Sequence, residues 1–154
     1  MSANQSSTDR IEKRVRLSVP RPRVWRALTD PREFGQWFGV KLSGAIAPGA
    51  KLRGPVTHKG YEHVIFEALV ETVEPETRFS FRWHPYAVEP GVDYSSEPTT
   101  LVVFTLEEVT GGTLLTVVET GFDKIPAVRR AKAFEMNSRG WAAQLESVTR
   151  HLAN

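Results

Sequence analysis

Few side chains in this sequence are placed to do chemistry. Glu119 is the foremost, because in "TLLTVVETGF" the alternation Leu115, Val117, Glu119 sets a carboxylate on one face with two aliphatic residues. Two readings are open for it. An inward carboxylate could hold the polar end of a bound molecule or act as acid or base with its pKa raised by burial. At the rim of a sheet it would instead pair with an arginine. His84 follows Phe79, Phe81 and Trp83 into a long irregular segment and is a candidate pocket residue, with Tyr86 beside it. His58 and His63 invite a metal reading, but their spacing fits no ligand pair on a helix, and in a strand or hairpin it puts them on opposite faces. No metal site is expected there. Arg82, between Phe81 and Trp83, should face away from both as a solvated sheet residue. The chain has no cysteine, which removes thiol nucleophiles, thiolate metal sites and disulfides together. Nothing suggests a serine, histidine and acid arrangement, and the "TGG" at 110–112 reads as a hairpin turn without the lysine and following helix of a phosphate cradle. No cofactor is expected.

A second group of residues is notable for shape. "REFGQWFG", residues 32–39, crowds Phe34, Trp37 and Phe38 onto one very short helix. Either these rings wall or lid a cavity, or they cap a packed core between two helices. Phe66, Phe81, Trp83, Phe104, Met136 and Trp141 are the other apolar residues whose phase would line such a cavity.

The elements that position these residues can be read from hydrophobic period. "IEKRVRLSV" alternates as a half-buried strand. "PRVWRALTD" has helical spacing behind Pro22, which suits a first turn. Asp30, Pro31 and Glu33 then form a capping-box pattern for a second helix from Pro31 to Trp37, stopped by Gly39. Runs at 41–46 and 51–56, separated by Pro48 and Gly49, read as a hairpin. "HVIFEALVETV" and "RFSFRW" are strands turning at Pro75, and "TLVVFTLEEV" and "TLLTVVETGF" pair across Thr110, Gly111 and Gly112. From Pro126 to about Leu152 the period is helical, with Val128, Ala131, Phe134, Trp141, Leu145, Val148 and Leu152 as its apolar positions. Gly140 in mid-helix costs about 0.5 to 1 kcal/mol relative to alanine, which suggests a close approach or an unfilled space there. Residues 84–99 are long for an irregular segment and are expected to act as a gate.

With 154 residues, 40% hydrophobic and 25% charged, the chain matches one soluble domain over residues 11–154, after a disordered polar tail at 1–10. Twenty basic and 18 acidic residues give a net charge of +2 without a basic stripe, so nucleic acid is not an expected partner. The absence of cysteine, of a signal-peptide core and of a membrane span makes the cytoplasm the expected compartment.

The order of one strand, two short helices, a six-stranded meander and a long C-terminal helix, with "VPRPRVWRALTDPREFGQWF", "FRW", "TLVVFTLEEVTGGTLLTVVETGF" and the "GW" at Gly140 and Trp141, resembles the homologues of the heat shock protein 90 ATPase activator. These belong to the START-like, polyketide cyclase (SRPBCC) superfamily. The resemblance spans Ile11 to Leu152. It implies an α+β helix-grip fold, in which a curved antiparallel sheet wraps the last helix around a cavity, and it places Trp37 and Phe38 at the mouth. It does not fix one activity. The leading expectation is a binding module for a small hydrophobic or aromatic molecule. The alternatives are a chaperone-contacting interaction domain, and a cyclase- or hydratase-type enzyme using Glu119 with His84 or Tyr86, for which no paired acid and base is visible.

Overall fold

The computed structural model describes residues 8–153. Strand β1 (Arg10–Leu17) leads into helices α1 (Arg21–Thr29) and α2 (Pro31–Phe38). Five strands follow: β2 (Lys51–Pro55), β3 (Ile65–Glu74), β4 (Arg78–Trp83), β5 (Thr100–Val109) and β6 (Gly112–Thr120). A 3-10 turn at Phe122–Lys124 then leads to α3 (Ala127–Leu152). The sheet is antiparallel throughout in the order β1-β6-β5-β4-β3-β2, curved around α3, which confirms the helix-grip α+β architecture.

Strand phase does most of the positioning. Phe66, Ala68 and Val70 on β3, Phe79 and Phe81 on β4, Val102, Phe104 and Leu106 on β5, and Leu115, Val117 and Glu119 on β6 are all buried on the face toward the helices. Trp141, Leu145, Val148 and Leu152 of α3 close that face from above. Alternation with period two on the sheet and a stripe of period 3.6 on the helix are enough to specify this two-layer core.

Several expectations need correction. The first arm of the hairpin at 41–46 is not a strand; it touches the sheet only through isolated bridges, Val40 with Val56 and Ser43 with Arg53. Five strands therefore follow the helices, not six. The segment crosses directly over β2, where a Cβ on Gly54 would lie 1.9 Å from the Lys41 carbonyl oxygen, so only glycine permits the crossing. Val128 is 94% exposed and Ala131 is exposed, so the start of α3 turns these positions to solvent; Ala133 is buried instead. Gly140 is exposed and a Cβ there would meet nothing within 4 Å, so no close approach explains it. Residues 1–7 of the expected tail lie outside the described residues, while Thr8 bonds Asp123 and Arg10 opens β1.

The two short helices are set by their ends. Asp30 accepts hydrogen bonds from the backbone of Arg32 and Glu33 at the start of α2, and Gly39, at φ 93°, ends it in the left-handed region. Glu33 does not complete the capping box. Its carboxylate turns to Arg23, Arg26 and His151, each at 2.8 Å. Burial alone would raise its pKa, but the hydrogen bonds from His151, Arg23 and Arg26 outweigh this and hold it at about 2.

Candidate functional site

Helix α2 answers what "REFGQWFG" covers. Phe34 is fully buried and Trp37 is only 3% exposed, with Phe34 ring to ring at 5.0 Å and Phe104 at 6.4 Å. The Trp37 indole donates to the Ala27 carbonyl at 2.8 Å, one of the acceptors that the end of α1 leaves open. Trp37 is thus a core residue locking α1 to α2, not a wall or lid. The carbonyls ending α2 are taken by α3: Ser147 Oγ donates to Trp37 O at 2.6 Å and Gln144 Nε2 to Phe38 O at 2.8 Å. Phe38 alone of the three rings reaches a cavity.

That cavity has a volume of about 580 Å3 and opens beyond the deep core. Its floor is apolar, made by Phe38, Phe66, Trp83 and Met136. One side is α3 at Asn137 and Gln144; the others are the turn at 57–64 and the loop after β4. Of the residues singled out from the sequence, Phe38, Phe66, Trp83, His84, Tyr86 and Met136 line it, as do His58 and His63. Trp37, Phe81, Phe104, Glu119 and Trp141 do not. They fill the space deeper between sheet and helix, where rings such as Phe104 and Trp141, 5.7 Å apart, leave no room for a guest. A second groove of about 530 Å3, between Lys13–Val15 of β1 and α3, is more open and carries none of the expected residues.

Directly beneath the floor sits Glu119, with no exposed surface. It is neither a rim residue paired with arginine nor a group facing a ligand. Thr100 Oγ1 donates to it at 2.5 Å, the indoles of Trp83 and Trp141 at 2.7 Å each, and Asn137 Nδ2 at 3.0 and 3.2 Å. Burial pushes its carboxyl above the usual range, and the bonds from Thr100, Trp141, Trp83 and Asn137 offset only part of this. The arrangement fixes two tryptophans and the asparagine from below. It offers no route by which Glu119 itself could touch a substrate, so the acid or base role expected of it lacks geometric support.

Sequence reasoning missed Asn137, Thr100 and Arg129. Thr100 was legible, since it extends the inward series Val102, Phe104, Leu106 by one more step of two. Asn137 lies one helical turn before Trp141 and shares its face. Arg129, in the first turn of α3, anchors the long loop: it pairs with Glu97 at 2.7 Å and donates to the Pro85 and Tyr86 carbonyls at 3.0 Å each. His58 and His63, expected on opposite faces of a strand, both line the cavity because residues 57–64 form turns. Each gives Nε2 to a backbone carbonyl, His58 to Phe38 at 3.2 Å and His63 to Val88 at 2.9 Å. No cluster suited to a metal ion occurs among the described residues. Arg82 lies on the outer face as expected, paired with Glu71 at 2.8 Å.

The sequence profile of the family described as Activator of Hsp90 ATPase homolog 1-like protein matches residues 18–153. The chain belongs to this family. Among solved structures, DynU16, described as a protein in the dynemicin biosynthetic locus, is 30% identical with a TM-score of 0.72 over 95% of this chain; the chain spans only 48% of DynU16. Protein MLL2253 from Mesorhizobium loti is 23% identical with a TM-score of 0.74, covering 94% of this chain and 96% of its own. Protein NE0264 from Nitrosomonas europaea is 19% identical with a TM-score of 0.75, covering 98% of each. These last two share the fold. No curated protein matches the chain. No helix among the described residues of this family member is long and apolar enough to cross a membrane.

Proposed function

We propose that this chain is a small-molecule binding module that holds a hydrophobic or aromatic guest in the cavity above Trp83. The observation that carries the reading is the cavity itself, about 580 Å3 with an apolar floor of Phe38, Phe66, Trp83 and Met136. That volume lies inside the range of about 300 to 1,000 Å3 usual for small-ligand sites. Its floor is also rigid: Trp83 is held by Glu119 from below and packs on Phe66 at 5.7 Å and Trp141 at 5.8 Å. Compared with the expectation from sequence, the guest site moves outward, from the space between sheet and helix to its mouth. The loop at 84–99 forms one wall and, held at its base by Arg129, is the element that would gate entry. DynU16, by its attachment to a biosynthetic locus, supports a metabolite as the guest.

The test is a titration with N-phenyl-1-naphthylamine, a neutral dye that brightens in apolar sites, against the parent protein and an Ala87→Trp variant that fills the cavity. Ala87 lines the cavity from the loop, so the larger side chain enters the space with little disturbance of the core. Saturable binding by the parent, weakened about tenfold or more in a variant that melts normally, is the expected result. No saturable binding, or binding indifferent to Ala87→Trp, would remove the proposal.

A further inference from the structure

The cavity's polar lining is one-sided. No lysine or arginine lines it, in a chain that has 20 of them, whereas Glu67, Glu89 and Asp93 do. Glu67 is already paired with Arg53 at 3.0 Å, but among the described residues neither Glu89 nor Asp93 has a lysine or arginine within ion-pair distance. The side-chain nitrogen donors that line the cavity are engaged within the protein. His58, His63 and His84 each spend Nε2 on a backbone carbonyl, so each neutral ring keeps Nδ1 as an acceptor. Gln144 directs its amide nitrogen to Phe38 O, and Asn137 directs its own to Glu119. The Trp83 indole also points down to Glu119. What this leaves in the lining is a set of oxygen and imidazole acceptors, together with the hydroxyls of Tyr61, Tyr86, Tyr94 and Ser95.

The aromatic content points the same way. The faces of Phe38, Phe66, Trp83 and the three tyrosines carry the negative quadrupole that attracts a cation. One of these rings already holds a cation: the Arg129 guanidinium lies 4.7 Å from the centre of Tyr94. Arg129 is not itself in the lining, and its charge is answered by Glu97.

Building on the binding-module reading, we infer that the guest is a cation, a protonated amine on an aromatic or apolar body. An ammonium brings only donors and a positive charge, which complements acceptors, carboxylates and ring faces at once. A carboxylate or phosphate ester of the same size would find no cationic side chain, only the hydroxyls of Tyr61, Tyr86, Tyr94 and Ser95 and backbone N–H groups of the loop to set against the acceptors and carboxylates.

The test uses three probes of one ring system, 2-naphthylmethylamine, 2-methylnaphthalene and 2-naphthylacetate, as cation, neutral and anion, measured by calorimetry and by displacement of N-phenyl-1-naphthylamine. The cation is expected to bind about tenfold or more tightly than the anion, with the neutral probe between them, and the margin is expected to narrow at about 0.5 M salt. A Glu89→Gln, Asp93→Asn double variant, changed only at exposed loop positions, should shrink the cation-to-anion ratio at least threefold and leave the neutral probe unchanged. If the neutral probe binds and the cation has no advantage over the anion, the charge inference falls while the binding module stands. If none of the three binds and the dye does not either, both fall together.

Discussion

Replacing Glu119 with glutamine keeps the shape of the side chain and removes its charge. Thr100 and Trp83 meet on one carboxylate oxygen and Trp141 on the other, while Asn137 reaches both, at 3.2 and 3.0 Å. An amide can accept at only one end. If its nitrogen takes the first position, the Thr100 hydroxyl can rotate to accept but the Trp83 indole cannot. If it takes the second, the Asn137 amide can turn over but the Trp141 indole cannot. Either way one indole N–H loses its acceptor, at a cost of about 1 to 3 kcal/mol in a site closed to water. For a domain of this size that is a fall in Tm of roughly 2 to 10 °C. Glu119→Leu leaves all four donors without an acceptor and should cost more than the glutamine. The pH dependence has a definite sign. Because burial raises the folded-state pKa of Glu119 above 4.5, the folded state retains a proton that the unfolded state has released. Stability from this group is therefore full below about pH 4.5 and declines as pH rises through the folded-state value. The advantage of the parent over Glu119→Gln should be largest near pH 4.5 and smaller at pH 8, read by urea melts followed through tryptophan emission. Identical melts at every pH, or an advantage that grows with pH, would refute the reasoning; the second result would mean that the four donors outweigh burial.

Glu33→Gln should behave in the opposite sense: with a pKa held at about 2, the ionised form stabilises the fold above about pH 4.5 and loses that effect as pH falls toward 2. Screening at the more exposed Arg26 limits the loss to about 1 to 2 kcal/mol at pH 7, and the difference between the two proteins should shrink as pH falls from about 4.5 and close near pH 2. Trp37→Ala should cost about 3 to 5 kcal/mol, as much as Trp141→Ala, since the two are 3% and 2% exposed; a Trp37 loss below about 1 kcal/mol would restore it to a cavity mouth. Gly140→Ala should raise stability by about 0.5 to 1 kcal/mol, because a methyl group there meets open space in a helix interior; a destabilised variant in thermal melts would reveal a backbone requirement.

The periods of two and 3.6 carried the architecture because each sheet strand and α3 packs along most of its length, so pattern and burial coincide. They failed where an element leaves the core. Val128 follows the helical stripe in sequence but faces solvent, and residues 41–46 meet β2 only at isolated bridges instead of a continuous ladder. For Trp37 the difficulty is of another kind. A roof and a plug need the same face of the same two-turn helix, and what decides between them is α3, whose Ser147 and Gln144 arrive more than a hundred residues later to take the carbonyls of Trp37 and Phe38. The polar character of the cavity was the least legible, because it depends on which end of an amide or imidazole is turned inward. Asn137 in a helix of mixed charge looks like any solvated asparagine until Glu119 is known to be sealed beneath it. Once that carboxylate claims the amide nitrogen and the Trp83 indole, the surface above is left with acceptors. One buried acid thus removes two of the side-chain donors that the cavity wall would otherwise present.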